Sequence, residues 1–189
     1  MTDDYLKYYD LEAYLFEDVR QRFHKEGKLG AFDLFSVIIW KANRAKSKLA
    51  QRLAKKAGSL EGAATQFTSA LFNAKSAEAR MLLAMKDWGF YLPMATAILS
   101  VLWPEEFTVF DVRVCEELLR DKFSDFRNLG NAIPEHVWPG YCRYREAVER
   151  AVPTLASLRD KDRFLWGRSA VHQLVDDIAT VFSKTKQQE

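Results

Sequence analysis

Residues 88–119 read WGFYLPMATAILSVLWPEEFTVFDVRVCEELL, and the punctuation of this stretch decides the fold. Gly89 falls just after a run in which Met81, Leu82 and Met85 recur at helical spacing, where a left-handed residue commonly closes a helix. The next segment, Leu92 to Leu102, is apolar almost all round, with Thr96 and Ser100 interrupting it, which predicts a short helix buried on most sides. Pro104 then ends that helix. Thr108–Phe110 is β-prone but only three residues long, and Asp111 stands directly after it. An aspartate there is suited to cap a helix over 112–122, because its side chain accepts from the free amides of the first turn. The stretch thus predicts a helical hairpin leading to one carboxylate.

The same signals recur outward from it. Asp10 precedes Leu11, Leu15, Val19 and Phe23, an amphipathic series that Gly27 and Gly30 bring to a stop. Phe32, Phe35, Ile38 and Ile39 continue at helical spacing, and Leu49 and Leu53 repeat four apart before Gly58. Ser59 and Ser76 are placed to cap the two helices that follow. Gly130, Pro134, Pro139 and Gly140 make 123–140 the longest irregular connection, ahead of helices near 141–151 and 165–182. The closing SKTKQQE is expected to fray. There is no sheet signature, repeat or low-complexity tract, so the reading is one all-α domain over 1–189, a compact bundle of crossing helices.

Composition bounds the function. An apolar fraction of 48% with 13% aromatic residues exceeds what disordered chains carry, and 29% charged residues suffice to clothe a globular surface. No apolar run approaches the roughly 18 residues of a membrane span, and MTDDYLKYYD lacks a basic-then-apolar leader, so a cytoplasmic protein is expected. Cys115 and Cys142 are the two cysteines, and His24, His136 and His172 stand at no ligand or base spacing. Neither metal, disulfide nor other cofactor is expected. The net charge of +2 conceals a polarity: Lys41, Arg44, Lys46, Lys48, Arg52, Lys55 and Lys56 fall in one stretch without an acid. Subtracting those seven from +2 leaves −5 for the remainder, a polarisation that points to a polyanionic partner.

The 88–119 stretch also resembles the helix-hairpin-helix DNA glycosylase superfamily. Its members carry a Gly-containing hairpin, an apolar helix, a short apolar segment and an essential aspartate about 22 positions after the first hairpin glycine. Gly89 and Asp111 are separated by 22, and DVRVCEELL is similar to the helix start that follows the family's aspartate, with Arg113 in its polar slot. SLRDKDRFLWG also looks like a C-terminal feature of 8-oxoguanine-type relatives. The chain departs from the pattern at three places. Tyr91 replaces the second hairpin glycine, Asp87–Trp88 replaces leucine–proline, and Pro93 stands where strand-cutting members carry lysine.

The resemblance implies the helix-hairpin-helix glycosylase fold and base excision without strand cleavage. Asp111 would stabilise an oxocarbenium-like sugar and orient or deprotonate water. Such chemistry requires the nucleotide to be flipped into a pocket, for which Trp40, Trp88 and Trp103 are available, with Tyr91 near the hairpin. Double-stranded DNA is the implied partner. Lys41, Arg44, Lys48 and Arg52 would neutralise phosphates, and Gly89, Tyr91 and Arg113 would contact DNA at the hairpin and beyond it. Two readings from other classes stand beside this one: a non-catalytic nucleic-acid-binding helical module, and a helical protein-interaction domain. By residue type alone Asp111 is an ordinary helix cap, and the basic stretch a solvated face.

Overall fold

The computed structural model describes residues 5–180, which are all-helical, with no strand among them. The helical region 181–182 and the fraying tail expected from the sequence lie outside the described residues. A short 3-10 turn, Tyr5–Tyr8, precedes α1 (Leu11–Tyr14), which runs through a π turn at Leu15–Val19 into α2 (Arg20–Glu26). Asp10 caps this helix by accepting from the Ala13 amide at 3.1 Å, and Gly27 closes it at φ +70. Gly30, expected to share in that stop, is instead the residue before α3 (Ala31–Ala42). A 3-10 turn joins α3 to α4 (Lys46–Ala57), and Gly58 ends α4 at φ +80. Ser59 then caps α5 (Leu60–Asn73) and Ser76 caps α6 (Ala77–Leu82). The latter continues through a π turn, Leu83–Asp87, to Gly89 at φ +66. Each left-handed glycine sits where a side chain would strain the backbone, so these stops are written locally.

α7 (Leu92–Leu102) is the centre of the molecule. Every residue in it except Pro93 is buried, and α2, α3, α6 and the π turns pack around it. Pro93 is accommodated in the first turn, where a helix has no amide hydrogen bond to lose. After α7 the chain runs buried and extended through Phe107–Phe110 to α8 (Val112–Arg120).

That β-prone segment pairs with no strand, and side chains satisfy its backbone instead. The Thr108 amide donates to the Tyr141 hydroxyl at 2.9 Å, which in turn donates to the Thr108 carbonyl at 2.7 Å. Tyr144 donates to the Val109 carbonyl at 2.9 Å, and the Phe110 amide donates to Thr96 Oγ1 at 2.9 Å. Burial of an unpaired amide or carbonyl costs about 1–3 kcal/mol, so these three side chains are what let a single non-helical segment pass through a helical core. Thr96, one of the two polar interruptions in α7, serves this purpose.

Two helices begin earlier than the sequence suggested. α9 (Val137–Ala151) takes Pro139 and Gly140 into its first turns, preceded by 3-10 turns at Arg127–Asn131 and Pro134–His136. α10 (Leu158–Thr180) starts at a reciprocal cap in which Ser157 Oγ accepts from the Asp160 amide at 3.0 Å and donates to its carboxylate at 2.6 Å. Its first turns are charged, and the apolar period recognisable from Leu165 onward lies beyond them. α10 packs along α8 and α9 and closes the cleft described next.

Candidate functional site

A cleft of about 350 Å³ opens among α1, α3, the start of α8 and the first turns of α10. Glu12, Trp40, Lys41, Val109, Asp111, Arg159, Asp162, Arg163 and Trp166 line it. A concave site of this size, with aromatic walls and converging polar groups, has the dimensions of a small-ligand pocket.

Asp111 arrives at the cleft because the side-chain-paired segment 107–110 ends there and α8 begins. One carboxylate oxygen, Oδ1, accepts from the Arg113 amide at 3.0 Å and so caps the helix. The other, Oδ2, takes a hydrogen bond from Lys41 Nζ at 2.6 Å. The two side chains are 19% and 15% exposed, which leaves the pair reachable from the cleft yet largely withdrawn from water. Capping and a place in the site are therefore both properties of this aspartate. Lys41 comes from the last turn of α3, next to Trp40, and its amine meets the carboxylate rather than facing outward with the rest of the basic stretch.

The opposite wall is built by α10. Arg159 donates to Glu12 Oε1 through Nε at 3.1 Å and Nη2 at 2.9 Å, and its Nη1 pairs with Asp162. Its guanidinium also lies over the rings of Phe16 and Trp40, 5.2 and 5.1 Å from their centroids. Fixed on four sides, Arg159 holds Asp162 in place. Asp162 is 2% exposed, and burial pushes its carboxyl up to about 6 against the opposing pull of Arg159 and Lys41. Trp166 is half-exposed at the rim, with the Arg113 guanidinium 5.3 Å from its ring centroid.

The structure distributes the other residues singled out by sequence. Of the three tryptophans considered for a base pocket, Trp40 alone lines the cleft. Trp88 packs in the core against Phe67, with Lys56 over its ring, and Trp103 packs against Phe23 and His24 under Arg80. Both belong to the core because they flank α7, the most buried helix. Arg44 and Lys48 are exposed. Arg52 donates to the Gly89 carbonyl at 2.5 Å and lies over Phe90, so α4 is fastened to the 88–91 turn. A Cβ on Gly89 would stand 3.1 Å from Arg52 Nη1. Tyr91 projects outward, 79% exposed, just before α7.

Sequence reasoning missed Glu12, Arg159, Asp162, Arg163 and Trp166. The signal was SLRDKDRFLWG, which contains four of the five, but only the packing of α10 turns those residues toward Asp111. Among the described residues no group of three or more His, Cys, Asp or Glu side chains is arranged to hold a metal ion, and no helix is long and apolar enough to cross a membrane. Cys115 and Cys142 are free thiols. Compared with protein-family models, curated proteins and solved structures, the chain gives no significant match.

Proposed function

We propose that this protein is a DNA-glycosylase-like enzyme that releases a base from double-stranded DNA, with Asp111 as its catalytic carboxylate. The observation that carries this reading is the position of Asp111: a carboxylate oriented by a helix N-terminus, opening on an aromatic-walled cleft large enough for a flipped base. Departure of a base leaves positive charge on the sugar, and a fixed carboxylate in a partly dehydrated site stabilises that charge better than water does. Lys41 holds the carboxylate aimed until substrate enters. Trp40 offers a flat face for the flipped base, with Arg44 and Lys48 free to neutralise phosphates on the adjoining surface. Pro93 supplies no amine, so release without strand cleavage from that position fits the chain.

The test is base release from a panel of duplex oligonucleotides carrying damaged or mismatched bases, scored by alkaline cleavage of the abasic product. Asp111→Asn keeps a good helix cap and removes the charge. The wild-type chain should release one class of base and the variant at least about 100-fold less. Equal release by both would end the assignment of Asp111. One observation favours a second reading, a non-catalytic DNA-binding module: the Lys41 ion pair already occupies Asp111 Oδ2. Salt-dependent duplex binding with no release of any base would support that reading instead.

A further inference from the structure

α10 carries two faces. Leu158, Asp162, Leu165 and Ser169 are buried at the spacing of one side of a helix, and this side packs on α8 and α9. Phe164, Val171, Leu174, Val175 and Ile178 fall on another side and are between 49% and 60% exposed. Phe164, Gly167, Val171, Leu174 and Ile178 succeed one another at alternating steps of three and four, the repeat by which one helix lays a seam against another. The packing of this chain does not require the glycine: a Cβ on Gly167 would meet nothing within 4 Å, and a glycine inside a helix weakens it. A second helix lying along the seam accounts both for the outward apolar row and for the gap in it, which admits a closely approaching backbone.

We propose that this face pairs with the same face of a second copy of the chain, the two α10 helices running antiparallel about a two-fold axis at Ala170. Charge selects that occupant. Seven residues are close to two full helical turns, so Arg163 and Asp177, each seven from Ala170, lie in one row with it beside the apolar seam. Antiparallel copies bring Arg163 of each against Asp177 of the other, twice by symmetry, and set Phe164 against Leu174 and Gly167 against Val171. Both charged groups have capacity for this. The Arg163 side chain is 59% exposed, with Glu12 at 3.4 Å and Asp160 at 3.5 Å, and no cation among the described residues pairs with Asp177. A parallel pair would instead place Arg163 beside Arg168 of the second copy, a like-charge contact that opposes association. Pairing through this face needs nothing from the chemistry proposed for the cleft.

The experiment is sedimentation equilibrium of the full chain at low salt, from about 5 to about 500 μM, a range suited to an interface at the small end of stable ones. The wild-type mass should rise from one chain to two and stop there, because a two-fold pairing closes on itself. Val171→Glu, Arg163→Asp and Asp177→Arg should each weaken pairing at least about tenfold while circular dichroism reports an intact fold. An equimolar mixture of Arg163→Asp and Asp177→Arg should recover the two-chain mass, since each reversed charge then faces its opposite. A chain that stays single at about 500 μM leaves the face to some other partner and overturns the proposal. Growth past two chains, pairing untouched by Val171→Glu, or a mixture no better than its components overturns it as well. Should Arg163→Asp not fold, mixed Phe164→Cys and Leu174→Cys chains decide the orientation. Mild oxidation should link the two variants to each other and neither to itself, and self-linkage or no linkage refutes the antiparallel pair.

Discussion

The two helices that carry the walls of the cleft are clamped by a buried carboxylate, and its disruption has a calculable cost. Glu117 on α8 is 1% exposed and accepts from Arg168 Nε of α10 at 2.5 Å. His172 Nδ1 stands 3.0 Å from its other oxygen, and Arg120 Nε is at 3.5 Å. Arg168 also reaches Asp121 at 2.5 Å. Replacing Arg168 by Ala leaves the carboxylate buried with its best partner gone. One-sided loss of a buried pair costs about 3–5 kcal/mol, and the remaining His172 and Arg120 place this case near about 3 kcal/mol. Against a total stability of about 5–15 kcal/mol that is a large fraction. Urea unfolding followed by circular dichroism should show the midpoint falling by about 1.5 M with an unchanged slope, taking a slope of about 2 kcal/mol per molar. The double variant Glu117→Leu/Arg168→Met removes both charges and should recover much of the loss. A single variant within about 1 kcal/mol of wild type, or a double variant no better than the single, would refute the view that this pair clamps α8 to α10.

Two further outcomes follow from groups whose ionisation the fold alters. Asp162 binds its proton more tightly when folded than the ordinary carboxylate at 3.8, since burial moves it to about 6. Between those two values the folded chain holds more protons than the unfolded one, so this group's contribution to stability is greatest below about 4 and is lost as pH rises to about 6, by up to about 3 kcal/mol. Arg159 and Lys41 oppose the effect and Asp111 adds to it. Unfolding curves at intervals across pH 4–7 should therefore differ in slope between wild type and Asp162→Asn, and parallel curves would contradict this account. The Cys115 thiol is buried and pushed up to about 12, while Cys142 is half-buried and raised less. Iodoacetamide at pH 8 followed by mass spectrometry should mark Cys142 first and leave Cys115 unmodified in the folded chain, and equal labelling would contradict the buried position.

What the sequence displayed was local. Gly27, Gly58, Gly89, Ser59, Ser76 and Asp111 end or begin helices through their own backbone or their nearest neighbours, so no tertiary knowledge is needed to place them. The buried character of α7 was equally plain, since an all-apolar stretch has nowhere else to go. The site was half legible. Asp111 and Trp40 stood out, but the bond joining Lys41 to Asp111 crosses 70 residues, and periodicity carries no information about such a meeting. Lys41 read as one cation in a basic run because composition cannot separate an amine turned inward from its outward neighbours. Trp88 and Trp103 failed as pocket candidates for the converse reason: aromatic type signals burial or binding alike, and packing against Phe67 and Phe23 decides for burial. The SLRDKDRFLWG segment stands out by resemblance alone, and periodicity starts the helix only near Leu165, because the charged first turns of α10 serve the cleft rather than a hydrophobic face.

The hydrogen bonds from Arg159 to Glu12 join residues 147 positions apart, nearly the span of the chain. Local helices form in microseconds, but a contact of that separation waits on closure of a very long loop. The wall that positions Asp162 is therefore completed only when the first and last helices have found one another, late in folding. A fragment lacking either end retains α7 and Asp111 yet has no cleft, and occupancy of the cleft by a ligand stabilises the whole chain rather than one segment.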